Sequence, residues 1–319
     1  VNLLLQLTPS NAAAEKRKFF GDKSYNPQLT YEHPASLQQM SKHPKPDLET
    51  LAIATRIANA GSPKNQDPRN NDNDKLLTQK EVTAKAKIFL RMHGLAERYA
   101  VVWSASYISR ATMTKKALKL KSIASFRERE TAGLLFHEIG THAIRQVNYE
   151  QQPWHRRKKK YGFSSYIETE EGLASLHSLL PVPNKLLYKP AVRYMAVHYS
   201  QTLSFAELWQ FLTPYITDEE ERWMVCIRQK RGLKDTTQPC IFMKDATYFS
   251  GALKIARWLS ENNFDISKLY YGKLAIEDVD KAVELNPKFV PKLPSFFTTS
   301  REAYKNNIQE IIAQNKLFV

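Results

Sequence analysis

His137-Glu138-Ile139-Gly140-Thr141-His142 sets two imidazoles and a carboxylate within a few residues of one another. Proteins use that residue set to hold a zinc ion and place a general base beside it. The spacing is the informative part. In the common metallopeptidase pattern the two His lie four apart, and here they lie five apart. Four residues of ideal α-helix turn about 40° beyond a full revolution, so both rings share a face; five turn about 140° beyond it, and the rings diverge. One π-type turn absorbs the extra residue. Gly140, which tolerates irregular backbone, sits inside the interval that must deform. The spacing therefore predicts a local widening of the helix between Glu138 and His142.

The flanking residues supply a setting for this helix. Ser125-Phe126-Arg127-Glu128 reads as a capping box that starts it. Ala132, Leu134, Leu135, Phe136, Ile139 and Ile144 are the apolar positions of a largely buried element. Imidazoles and a carboxylate on such a helix need polar partners, and a metal ion satisfies all three. Catalytic zinc takes three protein ligands and leaves a fourth position for water. Downstream lies Ile167-Glu168-Thr169-Glu170-Glu171-Gly172-Leu173-Ala174-Ser175-Leu176-His177. Thr169 is expected to cap a second helix that runs until Pro181. Glu171 would project from its first turn as the third ligand, with Glu168 and Glu170 competing for that role. Carboxylates there also complement a helix N-terminus without any metal. His177, six residues beyond Glu171 and on the opposite face, reads as a core histidine or a neighbour of the site.

A helix bearing His-Glu followed by a Glu-Gly-x-Ala helix resembles the gluzincin arrangement of zinc peptidases. The run Phe136–His142, followed by Glu170-Glu171-Gly172-Leu173-Ala174, narrows the match. So does the block Arg231-Gly232-Leu233 … Phe242-Met243-Lys244-Asp245 … Tyr248-Phe249-Ser250-Gly251. Together they resemble the microtubule-associated tyrosine carboxypeptidases, from about Leu3 to the C-terminus. The resemblance implies removal of the C-terminal tyrosine of α-tubulin, with zinc held by His137, His142 and Glu171. Glu171 is favoured over Glu170 because the family's ligand immediately precedes the Gly. Glu138 would be the catalytic carboxylate. Cys240 departs from the pattern, standing where a Gly is expected before the Phe-x-Lys-Asp block.

Release of a terminal residue also requires a cation for its carboxylate, and Arg suits this best because its fork donates two parallel hydrogen bonds. Arg228, Arg231 and Lys244 are the candidates from the resembling blocks, with Arg193 nearby in sequence. Tyr248 is a candidate donor to the tetrahedral oxyanion, against the plainer role of a packed ring. Two other function classes compete: a non-catalytic basic module that binds microtubules or nucleic acid around a structural metal, and an aminopeptidase or endopeptidase on the same scaffold. Intact Glu138 speaks against the first, since a structural site has four protein ligands and no base. The excess of Lys and Arg near the motifs speaks against the aminopeptidase, which needs an acidic anchor.

The chain has 319 residues, a net charge of +15 and a pI near 9.6. Such a charge draws a protein to acidic surfaces, nucleic acid being the usual one. The resemblance instead implies the acidic α-tubulin tail, the microtubule, and residence in the cytoplasm on the cytoskeleton. Arg156-Arg157-Lys158-Lys159-Lys160 is the densest basic run, expected near the rim of the site. Cys226 and Cys240 are the only cysteines, which fits a reducing compartment. No apolar run reaches a membrane span, Leu3-Leu4-Leu5 is too short for a signal peptide, and a chain opening at Val1 is expected to be part of a longer one.

The expected fold is α+β: one helix-dominated, zincin-like domain over 1–319 with a small sheet beside the metal helix. Residues 1–60 would wrap it, 61–79 form a loop, and 80–319 hold the core. Lys80 to Arg98 reads as an amphipathic helix buried at Val82, Ala86, Phe89 and Leu90. Tyr99 to Ile108 and Met113 to Leu120 read as strands, candidates for pairing with a substrate backbone. Beyond Tyr188 the pattern is helical, with breaks at Pro190, Pro214, Gly232, Gly251 and Pro287.

Overall fold

The computed structural model describes residues 3–63, 74–105 and 109–318. It is helix-rich with one small mixed sheet, an α+β fold as expected. Packing divides the described residues into two compact units, one formed by residues 3–63 with 188–250, the other by 74–187 with 251–318. Among the described residues no helix is long and apolar enough to cross a membrane.

The first unit is helical. Leu48–Gly61 starts at Asp47, whose side chain accepts from the Thr50 amide, and lies along Tyr188–Tyr199. Asp47 also meets the buried Tyr194 hydroxyl. A second cluster joins Phe19 to Phe205, Trp209 and Trp223, with ring centroids 4.9–5.6 Å apart. Residues 3–61 thus contribute core as well as covering. Pro190 does not break its helix; it stands in the first turn, where a missing N–H costs nothing.

The second unit carries the sheet. Thr78 and Glu81 form a capping box for the helix Gln79–Met92, which buries Val82, Ala86, Phe89 and Leu90 as the periodicity predicts. It ends before Arg98, at His93 and left-handed Gly94. Three strands follow: β1 (Ala100–Ser104), β2 (Ala111–Met113) and β3 (Ala117–Lys121). β3 is central, parallel to β1 and antiparallel to β2. The run Met113 to Leu120 therefore holds the end of β2, a turn closed by Thr114 N–H on the Ala117 carbonyl, and most of β3, rather than one continuous strand. Part of the first strand expectation, residues 106–108, lies outside the described residues, as does most of the loop expected at 61–79.

The helix that carries the motif begins at Glu128, and Ser125 does not cap it. Residues 74–77 supply the start from elsewhere in the chain: Asp74 accepts from the Arg129 amide at 3.0 Å, and the Lys75 carbonyl from the Glu128 amide. The second ligand helix, Ile167–Leu179, starts one turn earlier than Thr169. Buried Thr169 instead accepts from the Ile276 amide. Gly251 does not break the helix Thr247–Glu261 either; it is where that helix crosses Ile167–Leu179. A Cβ on Gly172 would lie 2.1 Å from the Gly251 carbonyl carbon, and only two glycines permit so close a crossing.

Candidate metal centre

The predicted widening is present. Phe136–Ala143 is π-helical, continuous with α-helix on both sides (Glu128–Leu135 and Ile144–Glu150). It turns His137 and His142 toward each other, with ring centroids 4.8 Å apart and planes at 79°. Gly140 earns its place differently from the expectation: its φ is not positive, and the Phe296 ring occupies the space, 2.6 Å from where a Cβ would stand.

Glu171 completes the cluster. One donor atom each from His137, His142 and Glu171 lie within 4.8 Å of one another, and the His142 Nε2 to Glu171 Oε2 distance is 3.6 Å. Two metal bonds of about 2.1 Å at a tetrahedral angle set their ligand atoms about 3.4 Å apart, so the His142–Glu171 pair is already near that spacing and the widest pair must close by roughly 1.4 Å. Two imidazoles with one carboxylate suit zinc, and three ligands leave an open position.

Glu170 has a separate task. It accepts from His142 Nδ1 at 2.8 Å. A carboxylate only accepts, so His142 carries its proton on Nδ1 and presents Nε2 to Glu171. Adjacent carboxylates of one helix thus hold both nitrogens of one ring. Glu170 is itself held by fully buried Arg145 and by Lys273 at 2.5 Å. Burial pushes the Glu170 pKa up, but the Lys273 and Arg145 charges prevail and leave it well below the usual carboxylate range. Arg145 is completed by the Leu269 and Leu274 carbonyls at 2.9 and 3.0 Å. Neither cation was legible as part of the site: Lys273 is 103 residues from Glu170. Glu168, the third competing carboxylate, pairs with Lys254 at the surface.

Glu138 is 8% exposed, and the Met113 amide of edge strand β2 donates to its Oε2 at 2.7 Å. Its charge also reaches His142. His177 is not a ligand. It is fully buried between Thr141 Oγ1 (2.8 Å) and the Tyr304 hydroxyl (3.0 Å). Burial first, then the nearby His137 and Arg145 charges, depresses its pKa and keeps it neutral.

The basic run divides. Arg156, Arg157, Lys159 and Lys160 are exposed, while Lys158 turns inward to the Lys273 carbonyl and sits 3.7 Å from the centroid of the Tyr166 ring. Burial, reinforced by the Arg145 charge, lowers its pKa to about 7.

The remaining candidates belong to the other unit and gather around fully buried Asp245. Arg228 grips Asp245 with two 2.8 Å hydrogen bonds and Arg231 adds a longer one at 3.4 Å. Burial raises the Asp245 pKa, but these two guanidinium charges outweigh it and keep the carboxylate ionised. Lys244 and Arg193 lie against the Tyr248 ring, at 5.7 and 5.6 Å. Cys240 is buried, its thiol directed to the Val197 carbonyl.

Comparison with known proteins gives the family. Residues 26–314 match the family model described as microtubule-associated tyrosine carboxypeptidase. The chain is 32% identical over 325 residues to microtubule-associated tyrosine carboxypeptidase 1 of Mus musculus, covering 99% of this chain and 69% of that protein. The protein of the same name from Homo sapiens is also 32% identical, over 99% of this chain and 68% of its own length. A widened helix with paired imidazoles, a carboxylate from the next helix and a match along nearly the whole length lead to one conclusion: the chain belongs to the microtubule-associated tyrosine carboxypeptidase family.

Proposed function

We propose that this protein is a zinc-dependent carboxypeptidase that removes the C-terminal tyrosine of α-tubulin. The observation that carries the proposal is the convergence of His137, His142 and Glu171 beside a fixed, partly accessible Glu138. The names of its relatives support the substrate. His137, His142 and Glu171 would hold the zinc ion, which would supply polarisation of a carbonyl and a more acidic water. Glu138 takes the proton of the attacking water and delivers it to the leaving amine. The Met113 amide keeps one carboxylate oxygen in place. β2, at the edge of the sheet among the described residues, lies beside the π turn and can align an extended substrate backbone. Arg156, Arg157, Lys159 and Lys160 give the glutamate-rich tail an electrostatic landing surface. Arg228, Arg231 and Lys244 remain proposed anchors for a carboxylate. Arg228 is the weakest of them, because Asp245 already takes up its fork.

The test is a peptide ending in Glu-Glu-Tyr, followed by mass. The wild type is expected to release tyrosine and Glu138→Gln to release none. A wild type that leaves the peptide intact in the presence of zinc, while still binding microtubules, would favour a non-catalytic module instead.

A further inference from the structure

The π turn that brings the two imidazoles together has a cost in hydrogen bonds, and the structure shows what offsets it. The Ile144 amide bonds to the Ile139 and Thr141 carbonyls, not to the carbonyl of Gly140 that an α-helix would offer it. A buried carbonyl deprived of its helical donor needs another. The Tyr270 hydroxyl donates to Gly140 O at 2.7 Å, from a fully buried ring 130 residues away in the chain. Close to the Tyr270 hydroxyl, Thr141 Oγ1 donates to the Phe136 carbonyl at 3.1 Å. His177 Nδ1 donates to the Thr141 hydroxyl, and the Tyr304 hydroxyl donates to His177 Nε2. Every donor and acceptor in this relay has one consistent assignment with His177 neutral.

We infer that Tyr270, together with the Thr141–His177–Tyr304 relay, is a positioning device that locks the helix in its π form and thereby sets metal affinity. None of these four side chains belongs to the ligand cluster. Loss of the Tyr270 hydroxyl leaves the Gly140 carbonyl without its donor and favours return of the Ile144 amide to it. That return restores α-helical winding and swings His142 away from His137. The inference rests on the metal-centre reading above.

The experiment uses the full chain stripped of metal, with zinc alone as the probe in competition against a chromophoric chelator. Tyr270→Phe keeps the ring and removes only the hydroxyl; Thr141→Val removes the other donor, and Thr141→Ser restores it. Tyr270→Phe and Thr141→Val are expected to weaken zinc binding at least about tenfold, in the range seen for groups that orient ligands, with Thr141→Ser close to wild type. Affinities within twofold of wild type overturn the inference, as does a lower melting temperature with unchanged affinity. Where stability and affinity fall together, the visible spectrum of the cobalt-loaded protein at saturation decides. A shifted band supports altered ligand geometry, and a spectrum identical to wild type overturns it. A wild type that binds no zinc defeats the metal-centre reading itself, whereas a binding wild type matched by its variants defeats this inference alone.

Discussion

Replacing Glu170 with Gln removes one negative charge and nothing of the shape. Three groups share the lost charge, His142 Nδ1, the Arg145 guanidinium and the Lys273 ammonium, and the one remaining amide oxygen cannot replace both carboxylate oxygens. Breaking a buried ion pair from one side costs about 3–5 kcal/mol, because the remaining charge is left uncompensated. The lower end applies here. Lys273 is 14% exposed and can turn toward water, and Arg145 keeps two backbone carbonyls. The expected loss is therefore about 3 kcal/mol in urea unfolding. His142 must then compete with Arg145 for a single uncharged acceptor, so the hold on its tautomer weakens and zinc affinity by chelator competition should fall about 10–100-fold. Glu168→Gln, which weakens a surface pair with Lys254, is the control and should cost about 0–1 kcal/mol with unchanged zinc binding. A Glu170→Gln protein within 1 kcal/mol of wild type and with zinc affinity within twofold would refute the assigned role.

Other substitutions probe different parts of the structure. Glu138→Gln should retain the Met113 hydrogen bond and the fold yet lose at least about 100-fold in tyrosine release, measured by mass spectrometry. Gly172→Ala places a Cβ 2.1 Å from backbone in the opposing helix, which must retreat by more than an ångström; a loss of about 1–3 kcal/mol or more and weakened zinc binding through displaced Glu171 are expected. Lys158 bears on pH. Its folded pKa of about 7 lies below the ordinary 10.5, so between those values the unfolded chain holds more protons and stability rises with pH. The slope approaches about 1.4 kcal/mol per pH unit, and Lys158→Met should remove it from unfolding curves collected between pH 7 and 9. Tyr270→Phe, as argued above, should weaken zinc binding more than it lowers stability.

The candidate ligand cluster was legible because its information is local. Five-residue spacing forces a widened helix if both imidazoles are to meet, and a Glu directly before Gly172 marks the next helix. The buried positions of Gln79–Met92 were legible for the same reason, since a period of 3.6 residues needs no tertiary knowledge. The helix starts were misjudged because side chains distant in the chain supply them. Asp74, not Ser125, meets the first turn of the metal helix. Gly251 and Pro190 read as breakers only while a helix is considered alone; one permits a close crossing and the other occupies a first turn.

The sequence by itself determined the two candidate imidazoles, the carboxylate between them, the need for a π turn if both rings are to meet, and the excess positive charge. Folding decided which of two adjacent carboxylates faces the cluster and which orients His142. It also decided that Lys158 turns inward while its neighbours face solvent, and that Tyr270 supplies the donor the widened turn lacks. Those outcomes depend on groups brought together from more than a hundred residues apart, and their energies come from burial and hydrogen bonding that no local pattern encodes.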